Sequence, residues 1–140
     1  MKKVLCLGSF DILHQGHLEF LQDAKSKGDK LYVLVMSDNS IFNFKGKNPV
    51  NSQKKRVKVL EKTGIPDKVI AGTYFAENLQ KILKARPDIM VFGYDQKSVF
   101  ERKIRSFLKG KGLKTKFVFS KKFSGGLHSS DLRKSIELKH

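Results

Sequence analysis

The sequence predicts an α/β fold: a doubly wound parallel sheet of five strands with helices on both faces. Three observations carry that prediction. Short apolar segments alternate along the chain with stretches of helical periodicity. The short segments are continuous apolar runs, the pattern of strands buried on both faces. Gly, Asp, Asn and Ser punctuate the junctions between them.

The elements follow in order. KKVLCLG (2–8) reads as a first buried strand, followed by a helix from about Gly16 to Lys27 on the spacing of Leu18, Leu21 and Ala24, stopped by Gly28-Asp29. KLYVLVM (30–36) is a second strand, ending in Ser37-Asp38-Asn39. The stretch FNFKGKNPVN then reads as a basic loop, and Asn51 or Ser52 opens a helix carrying Val57 and Leu60. DKVIAG (67–72) is a third strand, AENLQKILKAR a helix stopped before Pro87, and DIMVFG (88–93) a fourth strand. A helix over 97–109, a fifth strand over 113–120, the Gly-rich turn FSGGLHSS and a last short helix complete the chain. This is a Rossmann-like arrangement, in which ligands bind beyond the carboxyl ends of the strands. The chemistry is therefore expected in GSFDILHQGH, SDNSIFNFKGK, AGTYF, GYDQ and SKKFSGGLHSS.

At 140 residues the chain fits one domain and has no room for two independent cores. No stretch approaches the roughly 18 apolar residues that span a membrane, and no signal-peptide pattern opens the chain. The single cysteine, Cys6, excludes a disulfide framework and makes a reducing cytoplasm the expected compartment. Lys and Arg number 29 against 13 Asp and Glu, a net charge of +16. Such a balance attracts anions, whether nucleic acid or a nucleoside triphosphate, and also describes a merely solvated basic surface. The lysines are scattered through every helix and no RNA-module motif occurs, so nucleic acid is not the expected partner. A basic nucleotide-binding module without activity is the non-enzymatic alternative.

GSFDILHQGH (8–17) stands where the first strand ends and the first helix begins. Gly8 would let the backbone turn where a side chain would block a ligand. Gly16 lies at the helix entrance, where N–H groups and the macrodipole favour phosphate. His14 and His17 flank it, and each imidazole can donate to a phosphate oxygen. Neither G-x-G-x-x-G nor a Walker A loop is present. A His-x-x-His pair also suits a metal, but the remaining histidines, His128 and His140, and the single Cys offer no obvious completing set.

GSFDILHQGHLEFLQDAKSKGD resembles the signature of the H-x-G-H nucleotidyltransferase superfamily, in its cytidylyltransferase-like branch. The pattern GxFDxLHxGH with a trailing AKxxGD is far more specific than H-x-G-H alone, and the likeness spans the whole chain as one nucleotidyltransferase domain, residues 1–140. The chain is most similar to archaeal-type FAD synthetases (FMN adenylyltransferases), through KGKNP, PDIMVFGYDQ and a His-Ser-Ser before the last helix. Glycerol-3-phosphate cytidylyltransferases share the first motif. They carry an Arg-Thr-Glu-Gly-Ile-Ser-Thr-Thr run where this chain has FSGGLHSS, with Phe123 in place of the Arg.

The resemblance implies transfer of a nucleoside monophosphate from ATP (or CTP) to a phosphorylated acceptor, FMN foremost, with release of pyrophosphate. It assigns His14 and His17 to the triphosphate, with Gly8, Ser9, Phe10, Gln15 and Gly16 contacting the nucleotide. Asp11 is expected to order the loop or a basic partner. Lys45 and Lys47, on a mobile loop hinged by Gly46, would close over phosphates; a solvated charge run is the plain alternative. Arg56 is a further candidate partner of phosphate or of Asp11. Asp95 and Gln96, beside Tyr94, would read the base or ribose, or cap the next helix. Ser129 and Ser130, with His128 near them, would meet phosphate, or again cap a helix. Phe42, Phe44, Tyr74, Phe75 and Phe123 are candidates for an aromatic flavin pocket. Mg²⁺ is expected to arrive with the nucleotide, with no dedicated protein cage, and a homodimer is implied by the resemblance alone.

Overall fold

In the computed structural model, residues 1–93 and 99–121 are described. The elements are β1 (Lys3–Gly8), α1 (Gln15–Ser26), β2 (Lys30–Val35), α2 (Asp38–Lys45), α3 (Gln53–Thr63), β3 (Lys68–Ala71), α4 (Phe75–Ala85), β4 (Ile89–Phe92), α5 (Val99–Gly110) and β5 (Lys116–Phe119). All strand pairs are parallel, in the order β3-β2-β1-β4-β5. The expected five-stranded, doubly wound α/β architecture is what forms. The chain lays down β2 and β3 on one side of β1, then crosses to β4 and β5 on the other. The switch point therefore lies between the carboxyl ends of β1 and β4.

Side-chain alternation on the central strands divides the interior into two cores. Val4 and Cys6 of β1 point to one face, where Leu21 and Ala24 of α1 and Leu60 of α3 cover them. Leu5, between them, points to the other, against Ile82 of α4 and Ile104 and Leu108 of α5. Every residue of β4 is buried, as a central parallel strand requires. The edge strands β3 and β5 instead begin on exposed Lys68 and Lys116, charges that discourage edge-to-edge pairing.

Three aspartates organise the amino-terminal edge of the sheet. Asp29, Asp88 and Asp67 each accept a backbone N–H from the start of a neighbouring segment, at Lys2 (2.7 Å), Lys3 (2.8 Å) and Leu31 (2.8 Å). The carboxylates at this end hold strands in place, and the opposite edge is left for ligands.

Two sequence expectations are corrected. The stretch after β2 is not all loop, because α2 runs from Asp38 to Lys45. Ser37 caps it, accepting the Ser40 N–H at 3.1 Å, Ile41 is its one buried residue, and Gly46 ends it in the left-handed conformation (φ 73°). Lys45 is thus the last residue of a helix, and Gly46 serves as its terminator rather than as a hinge. The fifth strand is shorter than 113–120: Leu113 still donates its N–H to Leu108 at 3.1 Å, so pairing begins at Lys116. The last short helix expected near the carboxyl terminus lies outside the described residues.

Candidate functional site

The segment between β1 and α1 leaves the sheet at the switch point, and its backbone is unusual. Phe10 adopts φ 48°, a conformation that bulky residues avoid. This turns its ring back under the loop, 5% exposed, with its edge against the His17 ring at 5.5 Å. Gly8 makes room for that ring: a Cβ there would meet Phe10 Cε2 at 3.0 Å. The clearance expected at Gly8 for a ligand is therefore filled by Phe10, which keeps only main-chain groups for any nucleotide contact.

His14 is the N-cap of α1. The Gly16 N–H donates to His14 Nδ1 at 3.1 Å, and the His14 N–H donates to His17 Nδ1 at 3.3 Å. The two rings stack at 3.9 Å, 25° from parallel. Because each Nδ1 accepts, each neutral ring carries its proton on Nε2. The first turn of α1 contains no carboxylate to cancel the positive helix end. The entrance thus gathers a helix N-terminus and two stacked imidazoles. Gln15 is exposed and reaches Glu19 at 3.4 Å, while Gly16 is buried at the mouth of the helix.

Burial lowers the pKa of His14 from its ordinary value. His17 is lowered to about 4, first by desolvation and then by the His14 ring and the Lys45 charge, with the Ile12 carbonyl working the other way. The unfolded chain thus binds protons at pH values where the folded one does not. Stability is complete above pH ~6.5 and falls as pH drops toward 4. Thermal melts over that window are expected to show a declining midpoint whose slope is shallower in His17→Gln.

Asp11 does order its surroundings. Its carboxylate accepts the N–H groups of Val50 and Asn51, both at 2.8 Å, and its carbonyl accepts Asn51 Nδ2 at 2.6 Å. Lys47 therefore lies on a short span between the end of α2 and an anchored turn.

Arg56 does not partner Asp11, and at 1% exposure it is not presented to a substrate. Its guanidinium donates to the Ser9 carbonyl (2.8 Å), the Met36 carbonyl (2.9 Å), the Asn51 carbonyl (3.0 Å) and Asp38 Oδ1 (2.6 Å). One buried cation ties the loops after β1 and β2 to the starts of α2 and α3. It also occupies the Ser9 carbonyl, leaving that residue's hydroxyl for any ligand. Residue pattern held a clue: Arg56 is four positions before buried Leu60, on the core side of α3. Gln53 performs a related task, its Nε2 donating to the carbonyls of Val35 (3.0 Å) and Gly72 (2.8 Å) across the ends of β2 and β3.

Of the expected aromatic residues, Phe44 and Phe75 come together around Phe100, at 5.9 and 5.3 Å from it. Phe100 was not anticipated. Phe42 and Tyr74 are exposed. Tyr94, Asp95, Gln96, Phe123, His128, Ser129 and Ser130 lie outside the described residues.

A parallel sheet with an H-x-G-H motif at the helix entrance beside its switch point is the arrangement of a nucleotide-handling α/β protein. The family model described as cytidylyltransferase-like matches residues 5–135. An FAD synthase from Thermoplasma volcanium is 34% identical over 97% of this chain and 94% of its own length. Another, from Methanohalophilus mahii, is 39% identical over 84% of this chain and 80% of its own. Among solved structures, a lipopolysaccharide core biosynthesis protein from Thermoplasma volcanium superposes with a TM-score of 0.79 at 32% identity, covering 89% of this chain and 99% of the other. The chain belongs to the cytidylyltransferase-like family, as its first motif led one to expect.

Among the described residues no helix is long and apolar enough to cross a membrane.

Proposed function

We propose that the chain is an FMN adenylyltransferase. The phosphate of FMN attacks the α-phosphorus of ATP, the bond to the β-phosphate breaks, and FAD and pyrophosphate leave. The observation that carries this reading is the His14–Gly16–His17 entrance at the switch point of the sheet. Its setting supports it: relatives named FAD synthase align with nearly the full length of the chain.

The acceptor is already an anion, so no protein base or nucleophile is needed. The protein must hold two anions together and stabilise the charge that gathers on the α-phosphate. His14 and His17 donate from Nε2 toward those oxygens as neutral groups, and the first turn of α1 adds its dipole. Lys45 and Lys47 offset the repulsion between acceptor and triphosphate. Main-chain groups from Gly8 to Phe10, the Ser9 hydroxyl, Gln15 and Gly16 border the nucleotide. Asp95, Gln96, Ser129 and Ser130 keep the nucleotide contacts that the family resemblance implies.

Magnesium arriving with the triphosphate would screen its charge. Among the described residues no cluster of three metal-ligating side chains occurs, and the carboxylate of Asp11 is taken up by two backbone N–H groups.

The test crosses ATP and CTP with FMN and glycerol 3-phosphate in the presence of Mg²⁺, reading pyrophosphate. Release is expected with ATP and FMN, matched mole for mole by FAD. Release confined to CTP with glycerol 3-phosphate would replace this assignment with an alcohol-phosphate cytidylyltransferase.

A further inference from the structure

The FMN reading leaves open what recognises the ring of the acceptor, and one surface feature bears on that. Phe44 lies in the last turn of α2, Phe75 opens α4 and Phe100 lies in the first turn of α5. Phe75 and Phe100 begin the helices after β3 and β4, and Phe44 packs on Phe100, so the three rings gather at the carboxyl edge of the sheet, the edge from which the His14–His17 loop leaves β1. Phe75 is rooted in the core beneath α4 and α5. Phe100 packs on both Phe44 and Phe75, and Phe44 and Phe100 remain 67% and 40% exposed. Two touching aromatic rings left exposed at that edge form a surface suited to a flat apolar ligand.

The flanking charges say what else that ligand carries. Lys103 Nζ lies 6.0 Å from the centre of the Phe75 ring. Lys45 directly follows Phe44 and is near enough to His17 to act on its titration. The last turn of α2 thus carries an aromatic ring and a cation in succession. A planar ring joined to a phosphate matches both. A second copy of this chain matches less well, because each copy brings a net charge of +16 to a patch already bordered by lysines.

We propose that Phe44, Phe75 and Phe100 form the platform on which the isoalloxazine ring of the acceptor stacks, and that this platform selects FMN over phosphorylated acceptors lacking an aromatic ring. The inference rests on the FMN adenylyltransferase reading. Stacking of a heteroaromatic ring on such side chains is strong enough that losing one changes affinity about tenfold.

The experiment measures KM for FMN and for ATP in the wild-type chain, Phe100→Ala, Phe44→Ala and Phe100→Tyr. Both alanine variants remove exposed rings, so the fold should persist, and a thermal melt checks that it does. The expected result is an FMN KM raised about tenfold in each alanine variant, an ATP KM within about twofold of wild type, and recovery in Phe100→Tyr. An FMN KM that stays put in folded, active variants overturns the platform while leaving the FAD synthesis reading intact. The same holds if both KM values rise together. If Phe44→Ala changes only the molecular mass in solution, the patch joins copies of the chain and the platform is refuted. A wild-type chain that makes no FAD removes the functional reading and this inference together.

Discussion

Replacing His17 with alanine is expected to lower the turnover of ATP and FMN by about 10²–10³-fold, the usual cost of losing one donor aimed at developing charge. The loss should fall on kcat more than on the KM for ATP, because the donor matters most when negative charge builds on the α-phosphate. The variant loses more than one donor: His17 Nδ1 also accepts the His14 N–H, and the two rings stack. His14 therefore becomes less well held. Its own cap on Gly16 remains, so α1 keeps its start and the melting temperature should stay near that of the wild type. Pyrophosphate release in a folded variant is the measurement. A loss smaller than about fivefold would take His17 out of the transition state, on the same scale.

The largest effect on stability is expected at Arg56. Alanine there strands three carbonyls, of Ser9, Met36 and Asn51, in a region the side chain fills at 1% exposure. Removing one partner of such a buried arrangement costs about 3–5 kcal/mol, or roughly 10–20 °C in melting temperature for a chain of this size. Asp38, being half exposed, supplies little of that through charge alone. The hydrogen bonds to carbonyls dominate. Arg56→Lys should recover only part of the loss, because an ammonium cannot reach four acceptors arranged around a planar fork. A thermal melt decides. A fall of under about 1 kcal/mol would mean that water takes over the carbonyls.

The alternation of buried strands and helices was legible because parallel sheets leave long apolar runs, and β1, β2 and β4 show them plainly. The candidate entrance was legible for a different reason: two histidines around a glycine stand out at a strand-to-helix junction, and here both also cap α1. Helix α2 was not legible, since it buries only Ile41 and leaves its other apolar residues, Phe42 and Phe44, exposed. Its signals were its caps, Ser37 and Gly46, which a loop would also tolerate. Arg56 read as one cation among many lysines, and nothing in composition tells a buried guanidinium from a solvated one. Phe100 was hidden by abundance, as one of 11 phenylalanines, most of which any pattern assigns to the core. Strand order follows from crossovers, which leave no mark on residue type.

The clasp made by Asp11 on Val50 and Asn51 has a thermodynamic corollary. It leaves the segment from Gly46 to Pro49 strung between two fixed posts, the end of α2 and the Asp11 knot. A long free arm of lysines would surrender its backbone freedom each time it gripped an anion. This short bridge surrenders most of it once, when the chain folds. What Lys47 still has to lose on meeting a phosphate is little more than the rotation of its own side chain.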